Sequence, residues 1–172
     1  MSLHTRIVLA FALLTRLNGA QVPNYLEQSY FERSYFEPNK GQAESSVRFL
    51  SRNDAYTQLF KLREVVWSFG DAPGASVSMS FTGARASSVT GLGRRAGKVN
   101  YLVGQGQDSW VTGIDCYARV RYQNIYPGIH AEFHRSDELF EYDFAIRPYA
   151  RPSDIRLLFS GKTGAHGEAP CR

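Results

Sequence analysis

From residue 76 to 82 the chain alternates without a break. Val77, Met79 and Phe81 fall on one side, and Ser76, Ser78 and Ser80 on the other. A period of two is the mark of a strand with one buried and one wet face. The same period runs through Ile129, Ala131 and Phe133 against His130, Glu132 and His134. It returns in Phe140, Tyr142 and Phe144 against Glu141 and Asp143, and in Ala118, Val120 and Tyr122 against Arg119 and Arg121. Shorter apolar runs at 47–52, 55–60, 64–69, 99–103 and 155–159 read as further strands, with turn chemistry at 38–41, 53–54, 70–74 and 104–109. The glycine-rich stretch 91–97 reads as a loop. No window carries a convincing 3.6-residue apolar stripe. The pattern predicts an all-β, antiparallel, β-sandwich-like domain over 36–159. A flexible segment at 21–35 precedes it, and a disordered tail at 160–172 follows.

The segment 117–146 is the most informative. A hairpin turning at 135–138 would set Phe133 against Phe140, Ala131 against Tyr142 and Ile129 against Phe144, all on the buried face. The other face then collects His130, Glu132, His134, Glu141 and Asp143, with Glu132 directly opposite Glu141. Like charges placed so are destabilising. Arg119 and Arg121 on a neighbouring strand would offset them, bidentately where geometry allows. Arg119, Arg121, Glu132, Glu141 and Asp143 are therefore expected to form a structural charge cluster.

Sharper chemistry has less support. A divalent metal on His130, Glu132, His134 and Asp143 needs ligands that converge. Same-face neighbours on a strand stand about 6.6 Å apart, workable for two ligands and stretched for three. No metal or other cofactor is expected. A glycosidase pair would want one acid in an apolar pocket, whereas these carboxylates sit among charges. The glycines and lysine at 91–98 imitate a phosphate loop, but Leu92 stands where the first glycine belongs and Val99 where a hydroxyl belongs. Gly161-Lys162-Thr163 fails likewise, with Arg156 at the glycine position. No serine lies in a nucleophile-elbow pattern. No catalytic residue is assigned. Trp67, Trp110 and the tyrosines could offer a sugar-stacking platform, although aromatics on strands usually belong to the core.

A chain of 172 residues is long enough for one domain with a real core. Its formal charge is +4. The N-terminus has a short basic start, an apolar run at 7–14 and a small residue, Ala20, before Gln21, which together predict a secretory signal over 1–20. Without its Arg6 and Arg16, eighteen basic residues stand against sixteen acidic ones, leaving +2. No clustered basic face with interleaved aromatics is present, so nucleic acid is not an expected partner. The apolar run is too short to span a bilayer, and no membrane span is expected after signal removal. Cys116 and Cys171 are not expected to pair, because Cys171 sits in a glycine-rich tail with nothing to position it.

Several pieces carry a family resemblance. They are Phe-Glu-Pro-Asn-Lys-Gly-Gln at 36–42, Val-Arg-Phe-Leu-Ser at 47–51, Gly-Lys-Val-Asn-Tyr at 97–101 and Tyr-Ala-Arg-Val-Arg-Tyr at 117–122. Tyr-Pro-Gly-Ile at 126–129, the run 139–144 and Pro-Ser-Asp-Ile-Arg at 152–156 continue it. In this order they resemble the N-terminal domain, of unknown function, of bacterial exported proteins with SBBP-type β-propeller repeats. The resemblance implies a secreted or cell-surface, non-enzymatic module, structural or adhesive. Its partners would be downstream repeat domains or surface proteins. A carbohydrate-binding or carbohydrate-processing domain is the alternative. Three departures stand out: the duplicated Ser-Tyr-Phe-Glu at 29–32 and 34–37, His130 in place of an acid, and a C-terminus that reads as truncated after 159, which would leave a sheet edge open.

Overall fold

The fold is that of a computed structural model, which describes residues 35–70, 74–85, 88–136 and 139–163. The expected signal at 1–20, nearly all of the segment 21–35, Cys171 and the end of the tail lie outside the described residues. Ten strands are found among those described. They are β1 (Glu37–Pro38), β2 (Phe49–Arg52), β3 (Tyr56–Phe60), β4 (Glu64–Phe69), β5 (Ser76–Phe81), β6 (Val89–Tyr101), β7 (Val111–Tyr126), β8 (Ile129–Ser136), β9 (Leu139–Ile146) and β10 (Leu157–Lys162). They make two antiparallel sheets, a six-stranded one in the order β1-β2-β3-β4-β5-β10 and a four-stranded one in the order β6-β7-β8-β9. The expected all-β, sandwich-like architecture is what the chain adopts. Among the described residues no helix is long and apolar enough to cross a membrane.

The alternating residues meet between the sheets. Phe60, Val65, Met79 and Phe81 come from the six-stranded sheet, and Val120, Tyr122, Ala131, Phe133 and Phe144 from the other. Phe133 is the hub. Its ring lies 5.4 Å from Phe60, 5.5 Å from Tyr122 and 5.7 Å from Phe140. Edge-to-face and offset pairs of this kind add about 0.5–1.5 kcal/mol each beyond the area they bury. Tyr122 enters the core with its hydroxyl satisfied, donating to the Lys61 carbonyl at 2.7 Å.

Three sequence expectations are corrected and one strand is added. Residues 91–97 are not a loop but the middle of β6, paired with β7 from Val89↔Tyr122 to Arg94↔Tyr117. Gly91 serves close packing there, since a Cβ would collide with the Tyr117 ring. β1 exists, although two residues give no periodic signal. The last strand ends at Lys162 rather than 159, so 160–162 belong to the sheet and not to a disordered tail. The hairpin of β8 and β9 is displaced by two residues. Phe133 faces Tyr142, Ala131 faces Phe144, and Ser136 faces Leu139, so only two residues connect the strands. A slip of two keeps every side chain on its face, which is why the apolar set was right and the partners wrong.

β1 is also the seam between the sheets. It pairs with β2 on one side (Glu37↔Leu50), while Phe36 forms an antiparallel bridge with Tyr117 of β7. Both bonds of that bridge are made, at 2.9 and 2.8 Å. The turn after β1 is held by Asn39. Its Oδ1 accepts from the Gly41 and Ala43 N–H groups, and its amide donates to the carbonyls of Ala43, Glu44 and Val47.

Candidate functional site

The outer face of the four-stranded sheet holds the predicted charge cluster. Register sets Arg121 opposite Glu132 and Glu132 opposite Asp143. One row further, Arg119 lies opposite His134 and His134 opposite Glu141. A basic side chain therefore stands opposite an acid at two of these four steps, Arg121–Glu132 and His134–Glu141. Glu132 does not face Glu141, as the sequence suggested, but Asp143. Arg121 Nε and Nη2 both donate to Glu132 Oε1, at 2.8 and 2.5 Å, and Arg119 Nη1 stands 3.6 Å from Oε2. The guanidinium thus converges on one oxygen rather than making a two-by-two fork.

The arginines do not serve Glu141 or Asp143. His134 does: its Nε2 lies 3.1 Å from Asp143 Oδ2 and its Nδ1 3.9 Å from Glu141 Oε2. In the Nε2-protonated tautomer the ring donates to Asp143. The other Asp143 oxygen, Oδ1, is buried without a hydrogen-bond partner among the described residues. His130 stands apart. Its Nδ1 accepts from the Asn124 N–H at 3.2 Å, and burial, helped by Arg147 and Arg121, holds its pKa below the usual imidazole value. His130, Glu132, His134 and Asp143 share a face without converging. Among the described residues no group of three or more His, Cys, Asp or Glu is placed to hold a metal ion.

The seam carries a second cluster that the sequence analysis missed. Glu37 is 1% exposed. Its Oε1 accepts from the Tyr101 hydroxyl, and Arg52 Nε is 4.0 Å away. Oε2 is buried with no partner among the described residues. Burial pushes the Glu37 carboxyl above the usual range, against the lowering pull of Tyr101 and Arg52. It also drives Tyr101 well above an ordinary phenol, an effect Glu37 reinforces. The Arg52 guanidinium stacks 5.4 Å over the Tyr101 ring. Cys116 is buried in β7, and burial, followed by the Glu37 charge, raises its thiol. The one available signal was an acid directly preceding proline, with apolar neighbours on its N-terminal side.

Other candidates resolve plainly. Lys98, the imitation phosphate-loop lysine, binds Asp115 at 2.6 Å with Arg94 at 2.7 Å on the same oxygen. These cations, Lys98 first, hold the half-buried Asp115 below its usual pKa. The aromatics of a sugar platform are divided, since Trp67 packs edge-on against Phe140 at 5.7 Å while Trp110 is exposed.

No curated protein matches the chain, and no solved structure does. A family model does match, over residues 36–169, and it takes in every strand of both sheets together with the charge ladder and the seam. The chain therefore belongs to the family described as a domain of unknown function, DUF7948.

Proposed function

We propose that this protein is a non-enzymatic, exported or cell-surface module with a structural or adhesive role, normally preceding an array of SBBP-type β-propeller repeats. The observation that carries the reading is the pairing on the outer face. Arg121 and Arg119 neutralise Glu132, and His134 bridges Asp143 and Glu141, on the face of a sheet rather than in a cleft. Catalytic carboxylates need an environment that drives their protonation states apart, such as an apolar pocket for one of them, and these lie side by side on a polar sheet face. The leader-like N-terminus and the resemblance of the motifs at 36–42, 117–122 and 152–156 support export and the repeat partner.

The test joins two measurements on the full chain. Ester, peptide and glycoside substrates should show no turnover that Glu132→Gln or His134→Asn abolishes. Chemical cross-linking with a recombinant SBBP-type repeat array should capture a one-to-one complex. Turnover lost in either variant would overturn the reading, as would failure to capture the repeats.

A further inference from the structure

Two motifs singled out in the sequence, Tyr-Pro-Gly-Ile at 126–129 and Pro-Ser-Asp-Ile-Arg at 152–156, play no part in the charge ladder or the seam. In the fold they meet. Tyr126 and Pro127 at the end of β7, Asp154 and Arg156 before β10, and Thr82, Gly83 and Arg85 after β5 line one concavity of about 320 Å³. That volume lies at the small end of the range for ligand pockets.

The concavity is built on a rigid frame. The Tyr126 ring is buried, and its hydroxyl donates to the Arg156 carbonyl at 2.8 Å, with the Thr82 carbonyl at 3.2 Å. The Arg156 N–H in turn donates to the Tyr126 oxygen at 3.3 Å. Thr82 N–H bonds the Arg156 carbonyl, and Arg85 N–H bonds the Ile125 carbonyl. Three distant segments are thereby fixed through backbone groups and the Tyr126 hydroxyl. The side chains of Arg85 and Arg156 take no part in holding them.

Those side chains are the chemistry of the site. Both are exposed, and among the described residues neither has a carboxylate within ion-pair distance. Asp154, the acid in the lining, is already engaged by Arg151 at 3.6 Å. Guanidinium groups are planar, permanently charged and weakly hydrated, suited to carboxylate or phosphate. The neighbouring Asp154 carboxylate opposes a dianion more than a monoanion, and it offers an acceptor to an N–H beside the bound anion. We propose that this concavity is a docking site for a carboxylate carried on a peptide, an Asp or Glu side chain of a partner protein, held by Arg85 and Arg156. The site lies apart from the charge ladder and does not depend on whether that ladder is inert.

The experiment is a titration of the isotopically labelled full chain, followed by amide chemical shifts. The probe is N-acetyl-glutamate N-methylamide, with the neutral glutamine analogue and inorganic phosphate as separate arms. The expected result is saturable shifts, confined to residues 82–85, 126–128 and 154–156, with the glutamate probe only. The double variant Arg85→Gln, Arg156→Gln should weaken binding at least tenfold while its other amide shifts stay put, because the frame uses only the backbone atoms of these two residues. An equal response to the glutamine analogue, shifts located elsewhere, or undiminished binding by the double variant overturns the site. Tighter binding of phosphate than of the glutamate probe overturns the carboxylate assignment.

Discussion

Glu132 and Glu37 are both carboxylates largely withdrawn from water, and they are treated in opposite ways. Glu132, 12% exposed at its side chain, lies on an outer face beneath Arg121 and Arg119. Glu37 has 1% exposure, one phenol donor, a guanidinium at the limit of ion-pair distance and a second oxygen with no hydrogen-bond partner among the described residues. Removing a charge from water is tolerable where an opposite charge and hydrogen bonds replace the lost hydration, and costly where they do not. The Glu132 pair is therefore compensated on the sheet, while Glu37 makes the seam a point of tension. The tension is held by packing: Phe36 is buried against Phe60 at 5.4 Å, and its backbone bridges β7.

The comparison can be broken most forcefully at that packing. Phe36→Ala removes a fully buried ring from the seam and is expected to cost about 3–5 kcal/mol, read as a fall in the urea midpoint. A loss under about 1 kcal/mol would mean that β1 is not what joins the sheets. On the ladder, Arg121→Ala is expected to cost about 1–2 kcal/mol, because it leaves Glu132 poorly satisfied. The double variant Arg121→Ala, Glu132→Ala should cost less than the two singles added together; strict additivity would show that the pair is not coupled.

A pH titration sharpens the contrast. Burial raises the folded-state pKa of Glu37, so the folded chain holds that proton more tightly than the unfolded chain. Its contribution is full below the unfolded carboxyl value and is lost as pH rises through the folded one. Glu37→Gln lacks that loss, so its melting temperature should gain on the parent across this window. The gain is worth on the order of 1 kcal/mol. A difference that does not change with pH would remove Glu37 as the cause. The smallest effect belongs to Arg119→Ala. At 3.6 Å, and with an arginine side chain half exposed, the contact should be worth less than about 0.5 kcal/mol, within the error of most denaturation curves. A loss above about 1 kcal/mol would make Arg119 a partner equal to Arg121.

The strand faces were legible in the sequence because a period of two depends on nothing but the chain itself. Val77, Met79 and Phe81 go inward, and Arg119, Glu132 and His134 go outward, as the alternation says. Partners were less legible. The displaced hairpin keeps Phe133 inside but gives Glu132 to Asp143 instead of Glu141. Loop length sets that choice, and several lengths suit the same polar residues at 135–138. The glycines of β6 misled for a related reason. A glycine needed for a turn and one needed to admit the Tyr117 ring look alike until the ring is in place. Glu37 was invisible as a site, since its isolation comes from β6 and β7, more than fifty residues away.

By itself, then, the sequence determined the all-β class, the inward and outward sides of the main strands and which charged residues share the outer face. All of these follow from local periodicity. Tertiary structure alone decided which charges meet, which carboxyl is stranded and where the motifs at 126–129 and 152–156 come together. Pairing register, burial and the convergence of distant segments depend on which surfaces exclude water from which. That is settled only when both sheets close on one core.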